Sequence, residues 1–492
     1  MDDDLINPVL NMIGMVGTII VFFLIYVFMP NPEPLKRNRC KFSISDPEVI
    51  IIGAGITGTS LAAAFGKHGR RVVVIERDVY LDDAEADINE DPGDCLFPSG
   101  IKALEDMMDL DVLKDCHSIP LNGFLFIDHQ TKEETKVDFA TPGKTVPYRS
   151  LLKALRKHAA THPTVKFIEG VGTKLLEENE RVVGVKYRLT NLQELQVLRA
   201  PLTVVCDGLK SELRKDFTNS NDTVTDAYVV KIKLEHFVPQ QEFYREIRLG
   251  LPFAQTILEM LDAETSILQL IIEDKPPDDI GYFLKHKAAP TLPDYIQSSL
   301  LTSLKQNVEC THITWERLAA TSDSIPGVLL LGDAFRHTPI LVSGINLTLL
   351  DVRFWQRSLY DMIDLGAEDD IFLKKKEAFK RKRKSYSRAI NILSHVFVTL
   401  FLEQNSSSIR LRQALLRNMK MLGTDGKQET HKNVIVFDLL NMDGRMLTFL
   451  CRTCLDAVLK CIISDALTAP WTTAKEVYGI VSKFWTVISS HW

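Results

Sequence analysis

A chain of 492 residues, 45% hydrophobic and 25% charged, has room for two or three globular domains and excludes a fibrous or low-complexity polymer. With 58 Lys and Arg against 64 Asp and Glu, the formal net charge is −6, so nothing global points to nucleic acid. The 8 cysteines lack the spacing of a disulfide framework, and the CxxC at Cys451 and Cys454 has no second pair or histidine cluster to complete a metal site.

From Leu5 to Met29 no residue is charged, a length sufficient to cross a bilayer. Asp2, Asp3 and Asp4 precede the stretch, so it lacks the basic start of a cleaved signal peptide. Lys36, Arg37, Arg39 and Lys41 follow it, which places the remainder of the chain in the cytosol. A membrane anchor and linker are therefore expected over 1–46. A buried helix or a re-entrant hairpin is the alternative, given Gly14 and Gly17.

The next segment is the most informative. Val49 to Ile52 is an apolar run, Gly53-Ala54-Gly55-Ile56-Thr57-Gly58 a glycine turn, Ser60 to Lys67 an Ala-rich helix, and Val72 to Ile75 a second apolar run ending in Glu76 and Arg77. Strand, turn, helix, strand and acidic end in this order form the fingerprint of a site for the ADP half of a dinucleotide, with the acid about 20 residues after the glycines. Gly53 permits the turn, Gly55 lets backbone approach the pyrophosphate, and Gly58 lets helix and strand pack closely. The helix N-terminus faces the phosphates, and Glu76 accepts from the ribose hydroxyls.

Helical patterns return at Gly100 to Leu113 and Ser150 to Ala160. Strand patterns occupy Phe124 to Asp128, Thr135 to Phe139, Val182 to Tyr187 and Leu195 to Leu198. Val204-Val205-Cys206-Asp207-Gly208 ends one further strand, and Leu329-Leu330-Leu331-Gly332-Asp333 ends another before Gly344-Ile345-Asn346 opens a helix. A strand ending in Gly-Asp can aim a carboxylate at the hydroxyls of a ribityl chain, and a glycine at a helix start leaves amides free for phosphate or flavin oxygens. Strands at Tyr228 to Leu234 and Ile267 to Ile272, with a helix before Val308, make residues 226–319 an antiparallel sheet with helices. The chain then returns over 320–385 to the nucleotide domain (47–225), which also carries part of the substrate sheet at 117–145.

The run Lys374 to Lys384 is basic apart from Glu377, Ala378 and Phe379. It reads as a solvated helix face or a contact for anionic headgroups or an acidic protein. In the last segment, 386–492, Ile390 to Leu402, Val434 to Leu440, Leu447 to Leu459 and Val477 to Ile488 are short apolar or amphipathic stretches. Trp471, Trp485 and Trp492 suit a membrane interface. Two readings stand: helices lying on one leaflet, or helices capping the core.

The ordered trio of glycine turn, Cys206-Asp207-Gly208 and Gly332-Asp333 resembles the single-component flavoprotein monooxygenases of the glutathione-reductase and p-hydroxybenzoate-hydroxylase type. Within them the chain is similar to the squalene epoxidase family. The carrying residues are Val72 to Asp78, Gly93 to Gly100, Asn122-Gly123-Phe124, Lys166 to Val171, Ala200 to Leu209 and Val328 to Ala334. The resemblance implies a mixed α/β fold: a Rossmann-like FAD-binding domain, an inserted antiparallel substrate sheet, and a membrane-associated helical tail. It implies FAD at Ile56, Thr57, Glu76, Arg77, Arg149, Val171, Asp207, Asp333 and Ile345, besides Gly53, Gly55, Gly58 and Gly344. It also implies epoxidation of squalene to 2,3-oxidosqualene with O2 at the endoplasmic reticulum membrane. By the same resemblance electrons would come from NADPH-cytochrome P450 reductase, which fits the absence of a second dinucleotide fingerprint in the sequence. No metal is implied.

The chain departs from the family pattern on the flavin-ring side. Phe97 replaces a glutamine and Phe124 a tyrosine, so two hydrogen-bonding side chains become phenyl rings; Phe97 and Phe124 are then expected to line an apolar channel. Glu90 reverses an arginine, and the arginine of a Gly-Arg-Phe stretch falls on Ser150, with Arg149 beside it. A His-Pro pair is split into His337-Thr338-Pro339, and a triple glycine has become Val342-Ser343-Gly344. Two other readings follow: a flavin hydroxylase of another lipid, or an FAD-binding paralogue serving as scaffold or regulator.

Overall fold

The computed structural model describes residues 40–78, 93–108, 111–190, 194–208, 210–216, 223–252, 255–272, 278–304, 309–316, 325–335, 344–366, 368–383, 405–422, 445–465 and 470–489. The expected anchor, Glu90, His337 to Pro339, Val342, Ser343, Ile390 to Leu402, Val434 to Leu440 and Trp492 lie outside the described residues.

Two sheets organise the body. The first joins β1 (Val49–Ile52), β2 (Val72–Glu76), β6 (Val165–Glu178), β7 (Arg181–Leu189), β8 (Leu195–Arg199), β9 (Leu202–Val205) and β15 (Val328–Leu330) in the order β15-β9-β1-β2-β6-β7-β8. Five strands from β15 to β6 run parallel, and β7 and β8 turn back antiparallel. β1 is Val-Ile-Ile-Ile and fully buried, because a central parallel strand is covered on both faces. Helices α1 (Ile56–Lys67), α3 (Tyr148–Ala160) and α5 (Gly344–Tyr360) pack together, and the buried Trp355 of α5 anchors that layer.

The second sheet has eight strands: β3 (Gly93–Leu96), β4 (Ile119–Asp128), β5 (Glu134–Pro147), β10 (Thr223–Leu234), β11 (Tyr244–Leu249), β12 (Gln255–Met260), β13 (Ser266–Ile272) and β14 (Glu309–Glu316). β11 runs parallel to β4 and so joins segments far apart in sequence. α4 (Asp294–Ser303) covers one face, its Ile296 and Leu300 packed with Val230, Leu268 and Leu270. The inserted sheet is therefore built partly from 93–147, which contains the 117–145 segment expected to join it and adds the strand Gly93–Leu96.

The helix expected over Gly100 to Leu113 divides. α2 (Pro98–Met107) stops because Met108 is extended, and a separate turn covers Asp111–Lys114. A helix not expected from the sequence pattern, α7 (Ser406–Leu422), buries Leu411, Leu415, Leu416 and Met419. α8 (Arg445–Asp465) and α9 (Pro470–Ser489) are longer than their apolar stretches and pack on α7 and on each other. Among the described residues no helix is long and apolar enough to cross a membrane. The described part of the tail thus holds no spanning helix, and the inward faces of α7, α8 and α9 cap one another.

α7 is pinned to the second sheet by one buried pair. Arg412 Nε lies 3.1 Å from Asp128 Oδ2, with both side chains excluded from solvent, while Asp128 Oδ1 accepts from Gln130 N and Thr131 N in the β4–β5 turn. Removing one member of such a pair leaves an uncompensated buried charge. Arg412→Ala is expected to lower unfolding stability by about 3–5 kcal/mol. An unchanged urea midpoint and slope would refute this.

Candidate functional site

The glycine turn between β1 and α1 is where backbone comes closest to backbone. Gly53 sits at φ +97°, and a Cβ there would be 2.5 Å from the Cys206 carbonyl oxygen at the end of β9. A Cβ on Gly58 would overlap the Gly53 carbonyl oxygen. Gly55, by contrast, looks into open space, its nearest neighbour being Tyr148 Oη at 3.9 Å from a built Cβ. Gly55 is also the N-cap of α1 and supplies no side-chain hydrogen bond, so the first amides of α1 point toward this space without a side-chain acceptor.

Glu76 ends β2 beside the turn. Its Oε2 accepts from Ala54 N at 2.5 Å and its Oε1 from Asp78 N at 3.1 Å. A carboxylate has about four acceptor directions, so half remain for hydroxyl donors. The Ala54 carbonyl is itself clamped: it accepts from Thr59 Oγ1 and from the Nε and Nη2 of Arg156, at 2.9, 3.1 and 3.0 Å. Arg156 Nη1 reaches the Asp78 carbonyl at 2.9 Å and so ties the turn to the end of β2. Arg156 and Tyr148 were missed in the sequence. The only signal is a buried arginine position on the apolar face of α3, among Leu152, Leu155 and Ala159.

Other strand ends converge on the same edge of the first sheet, the carboxyl ends where α/β folds place ligands. Asp207 follows β9; burial raises its carboxyl, with the Ser211 hydroxyl pulling the other way. Its Oδ1 is buried and has no hydrogen-bond partner among the described residues. Gly332, at φ +62°, packs on Thr57 so tightly that a Cβ would overlap the threonine hydroxyl, which sets the exposed Asp333 beside the first turn of α1. Gly172, next to the exposed Val171 of β6, is held against Ile52. Arg149 is exposed on the first turn of α3, and Arg77 is exposed and paired with Asp78 at 3.1 Å.

A second group lies on the inserted sheet. The buried rings of Phe97 and Phe124 meet edge to face with centroids 6.2 Å apart, and Phe139 closes the trio at 5.8 and 5.2 Å. The two phenylalanines expected to line a channel are therefore neighbours, on one aromatic wall. Asn346 links that wall to α5: its Oδ1 accepts from Phe97 N and its Nδ2 donates to the Cys95 carbonyl, both at 2.8 Å. It follows Gly344 and the buried Ile345 at the start of the helix, so two hydrogen bonds tie the α5 N-terminus to the Phe97 loop. Beneath, Arg245 Nε lies 3.1 Å from Glu259 Oε2 in a fully buried pair, Gln269 donates to Glu259 at 2.7 Å, and Arg245 Nη1 contacts Cys95 Sγ at 3.2 Å. Burial pushes the Cys95 and Cys206 thiols up, and Cys116 to about 12, so these sulfurs stay protonated and inert at neutral pH.

The arrangement fits a dinucleotide. There is room at Gly55, a bare helix N-terminus, spare acceptors on Glu76, and an orphaned carboxylate oxygen on Asp207 that a hydroxyl or amide donor would satisfy.

Comparison with known proteins gives a consistent picture. The squalene epoxidase family pattern matches residues 199–472. Squalene monooxygenase of Rattus norvegicus is 32% identical over 391 residues, 77% of this chain and 66% of that protein. Squalene monooxygenase 1,2 of Brassica napus is 30% identical over 371 residues, 71% of this chain and 68% of that protein. Among solved structures, p-nitrophenol 4-monooxygenase of Pseudomonas putida superposes with a TM-score of 0.64 at 17% identity, over 80% of this chain and 98% of that one, which establishes the fold.

Two outcomes are expected. Gly58→Ala forces helix from strand and should abolish retention of a bound nucleotide, read as loss of visible absorbance in the purified protein. The raised Asp207 carboxyl makes its ionisation oppose folding. The resulting stability is whole below the ordinary carboxylate range and is lost as pH climbs through the raised value. Asp207→Asn should therefore flatten the decline in urea midpoint of the nucleotide-free protein between acid and neutral pH; parallel curves would contradict this.

Proposed function

The chain belongs to the squalene epoxidase family, and on that premise we propose that it holds FAD against the β1–α1–β2 crossover and epoxidises squalene to 2,3-oxidosqualene with O2. The observation that carries the reading is the junction of a complete dinucleotide cradle with a buried aromatic wall, joined through Asn346. When bound, FAD supplies the oxygen-activating chemistry. The chain's own residues do the rest. The α1 amides and Glu76 take the diphosphate and ribose, and Asp207 and Asp333 take hydroxyls of the chain leading to the ring. Phe97, Phe124 and Phe139 keep water from the reacting face and present only carbon to an alkene. Electrons come from a separate NADPH-dependent reductase.

We place the protein at the endoplasmic reticulum membrane with its body in the cytosol. Support comes from the charge-free stretch at Leu5 to Met29 followed by Lys36 to Lys41, and from two exposed apolar stripes. Leu455, Leu459, Ile462 and Ile463 run along α8, and Tyr478, Val481 and Trp485 along α9. A soluble surface seldom presents so many large apolar side chains at helical spacing.

One observation favours a second reading, an FAD-binding paralogue without epoxidation. Phe97 and Phe124 pack edge to face and can donate no hydrogen bond where the family places two polar groups.

Purified full-length protein, supplied with squalene, NADPH and cytochrome P450 reductase, separates the readings. Bound flavin with oxidosqualene formation supports the epoxidase. Bound flavin without product supports the paralogue, and colourless protein overturns both. Phe97→Gln with Phe124→Tyr is expected to change turnover little in a working enzyme. A gain of about tenfold, roughly 1.4 kcal/mol of barrier, would mark an impaired one.

A further inference from the structure

The basic run singled out in the sequence lies largely on α6, the helix over 369–383, which packs beside α5. Between them is a cavity of about 270 Å3 that the flavin site does not use. Arg353, Arg357, Lys382 and Arg383 stand in its wall, and Leu350, Phe354 and Phe379 are its apolar part. Four-residue spacing puts Arg353 and Arg357 on one face of α5. Both reach the same carboxylate, Asp106 of α2, at 3.1 and 3.0 Å. Arg383 is paired with Asp351 at 3.0 Å, both nearly excluded from solvent. Lys382 Nζ lies 5.5 Å from the centroid of the Phe354 ring, and the Phe354 and Phe379 rings are 5.3 Å apart.

Among the described residues four cations thus face two carboxylates, Asp106 and Asp351, which leaves two positive charges in excess along a concave, partly aromatic wall. Arg357 and Lys382 stand exposed at the rim and Arg353 is partly exposed, while the buried Arg383 is matched by Asp351. An anion at the rim therefore meets a net positive charge without any cation having to be buried first. Two guanidinium forks one helical turn apart suit oxygens presented from a tetrahedral centre, and a lysine adds a mobile point charge. The adjoining phenyl rings suit an apolar body next to that anion.

We infer that this cavity is a binding site for a phosphorylated amphiphile. The phosphate or diphosphate lies against Arg353, Arg357 and Lys382, and the first part of the apolar chain lies on Phe354 and Phe379. Asp106 is the built-in competitor, holding the two arginines in place until the ligand takes over their charge. The site does not depend on flavin or on epoxidation. The same chemistry is offered by a soluble alkyl phosphate and by a phosphate headgroup at a bilayer surface.

Isothermal titration of the full-length protein in neutral detergent tests this, with decyl phosphate below its micelle concentration, decanol and inorganic pyrophosphate as probes. Saturable binding of decyl phosphate is expected, weaker with added salt, with no heat from decanol and weaker binding of pyrophosphate. Arg353→Gln with Arg357→Gln should weaken it by more than about tenfold, and the exposed Lys382→Gln should weaken it in the same direction. Asp106→Asn should tighten it about fivefold by freeing both arginines, a gain that a merely structural cluster would not give. Flotation with phosphatidylcholine vesicles, with and without phosphatidic acid, distinguishes the sources. A response to phosphatidic acid that the double variant loses assigns a lipid headgroup; decyl phosphate binding without such a response assigns a soluble ligand. No saturable binding, equal affinity in folded variants, or binding of polyglutamate but not of phosphate overturns the proposal.

Discussion

The architecture depends on one steric constraint, the approach of the first turn of α1 to the ends of β1 and β9. Two positions without a side chain make it possible. At Gly53 the chain adopts a positive φ and lies against Cys206, and at Gly58 the helix rests on the Gly53 carbonyl. Everything placed around the cradle inherits that geometry. The α1 N-terminus points outward, Glu76 sits beside Ala54, and Gly332 brings Asp333 alongside Thr57. A methyl group at either glycine would require a backbone displacement rather than a rotamer change, so no neighbouring side chain can relieve it.

Around that centre the chain uses buried arginines as fasteners between segments distant in sequence. Arg156 ties α3 to the glycine turn, Arg412 ties α7 to the β4–β5 hairpin, and Arg245 ties β11 to β12 and β3. Arg181 joins the start of β7 to Asp369 and to the carbonyls of Pro201 and Leu365. Each guanidinium presents several donors in a fixed fork, so one side chain satisfies carbonyls or carboxylates from two or three elements at once. Such pairs add little net stability over an apolar replacement, but a wrongly docked segment would leave a charge buried and unpaired. They therefore act on which arrangement forms.

The two halves of the candidate site have opposite character for a physical reason. The nucleotide half binds charge and hydroxyls, so it is made of backbone amides, carboxylates and glycine. The inserted sheet offers Phe97, Phe124 and Phe139, which suit a substrate with no polar handle. Asn346 is the polar joint between them, buried, with its amide oxygen and its amide nitrogen each bonded to a backbone group of the β3 strand or its loop. The outward stripes on α8 and α9 extend the apolar theme to the surface, while the basic wall of the α5–α6 cavity introduces a separate, charged chemistry.

The sequence by itself determined the cradle. Glycine turns, all-apolar central strands and an acid at the next strand end are local patterns whose geometry follows from backbone sterics over about 30 residues. Gly53, Gly58 and Glu76 meet where their spacing says they must, and the strands Tyr228 to Leu234 and Ile267 to Ile272 pair in register as β10 and β13. Only the tertiary structure decided the rest. Arg156, Tyr148 and Asn346 carry no motif of their own. β11 joins β4 across more than a hundred residues, and α7 is held by Arg412 to an aspartate 284 positions earlier. Their roles come from which surfaces become buried together, a property of the whole fold that no window of sequence contains. The helix expected over Gly100 to Leu113 broke for the same reason, its periodicity recording burial on both sides of the extended Met108 without the backbone turn between them.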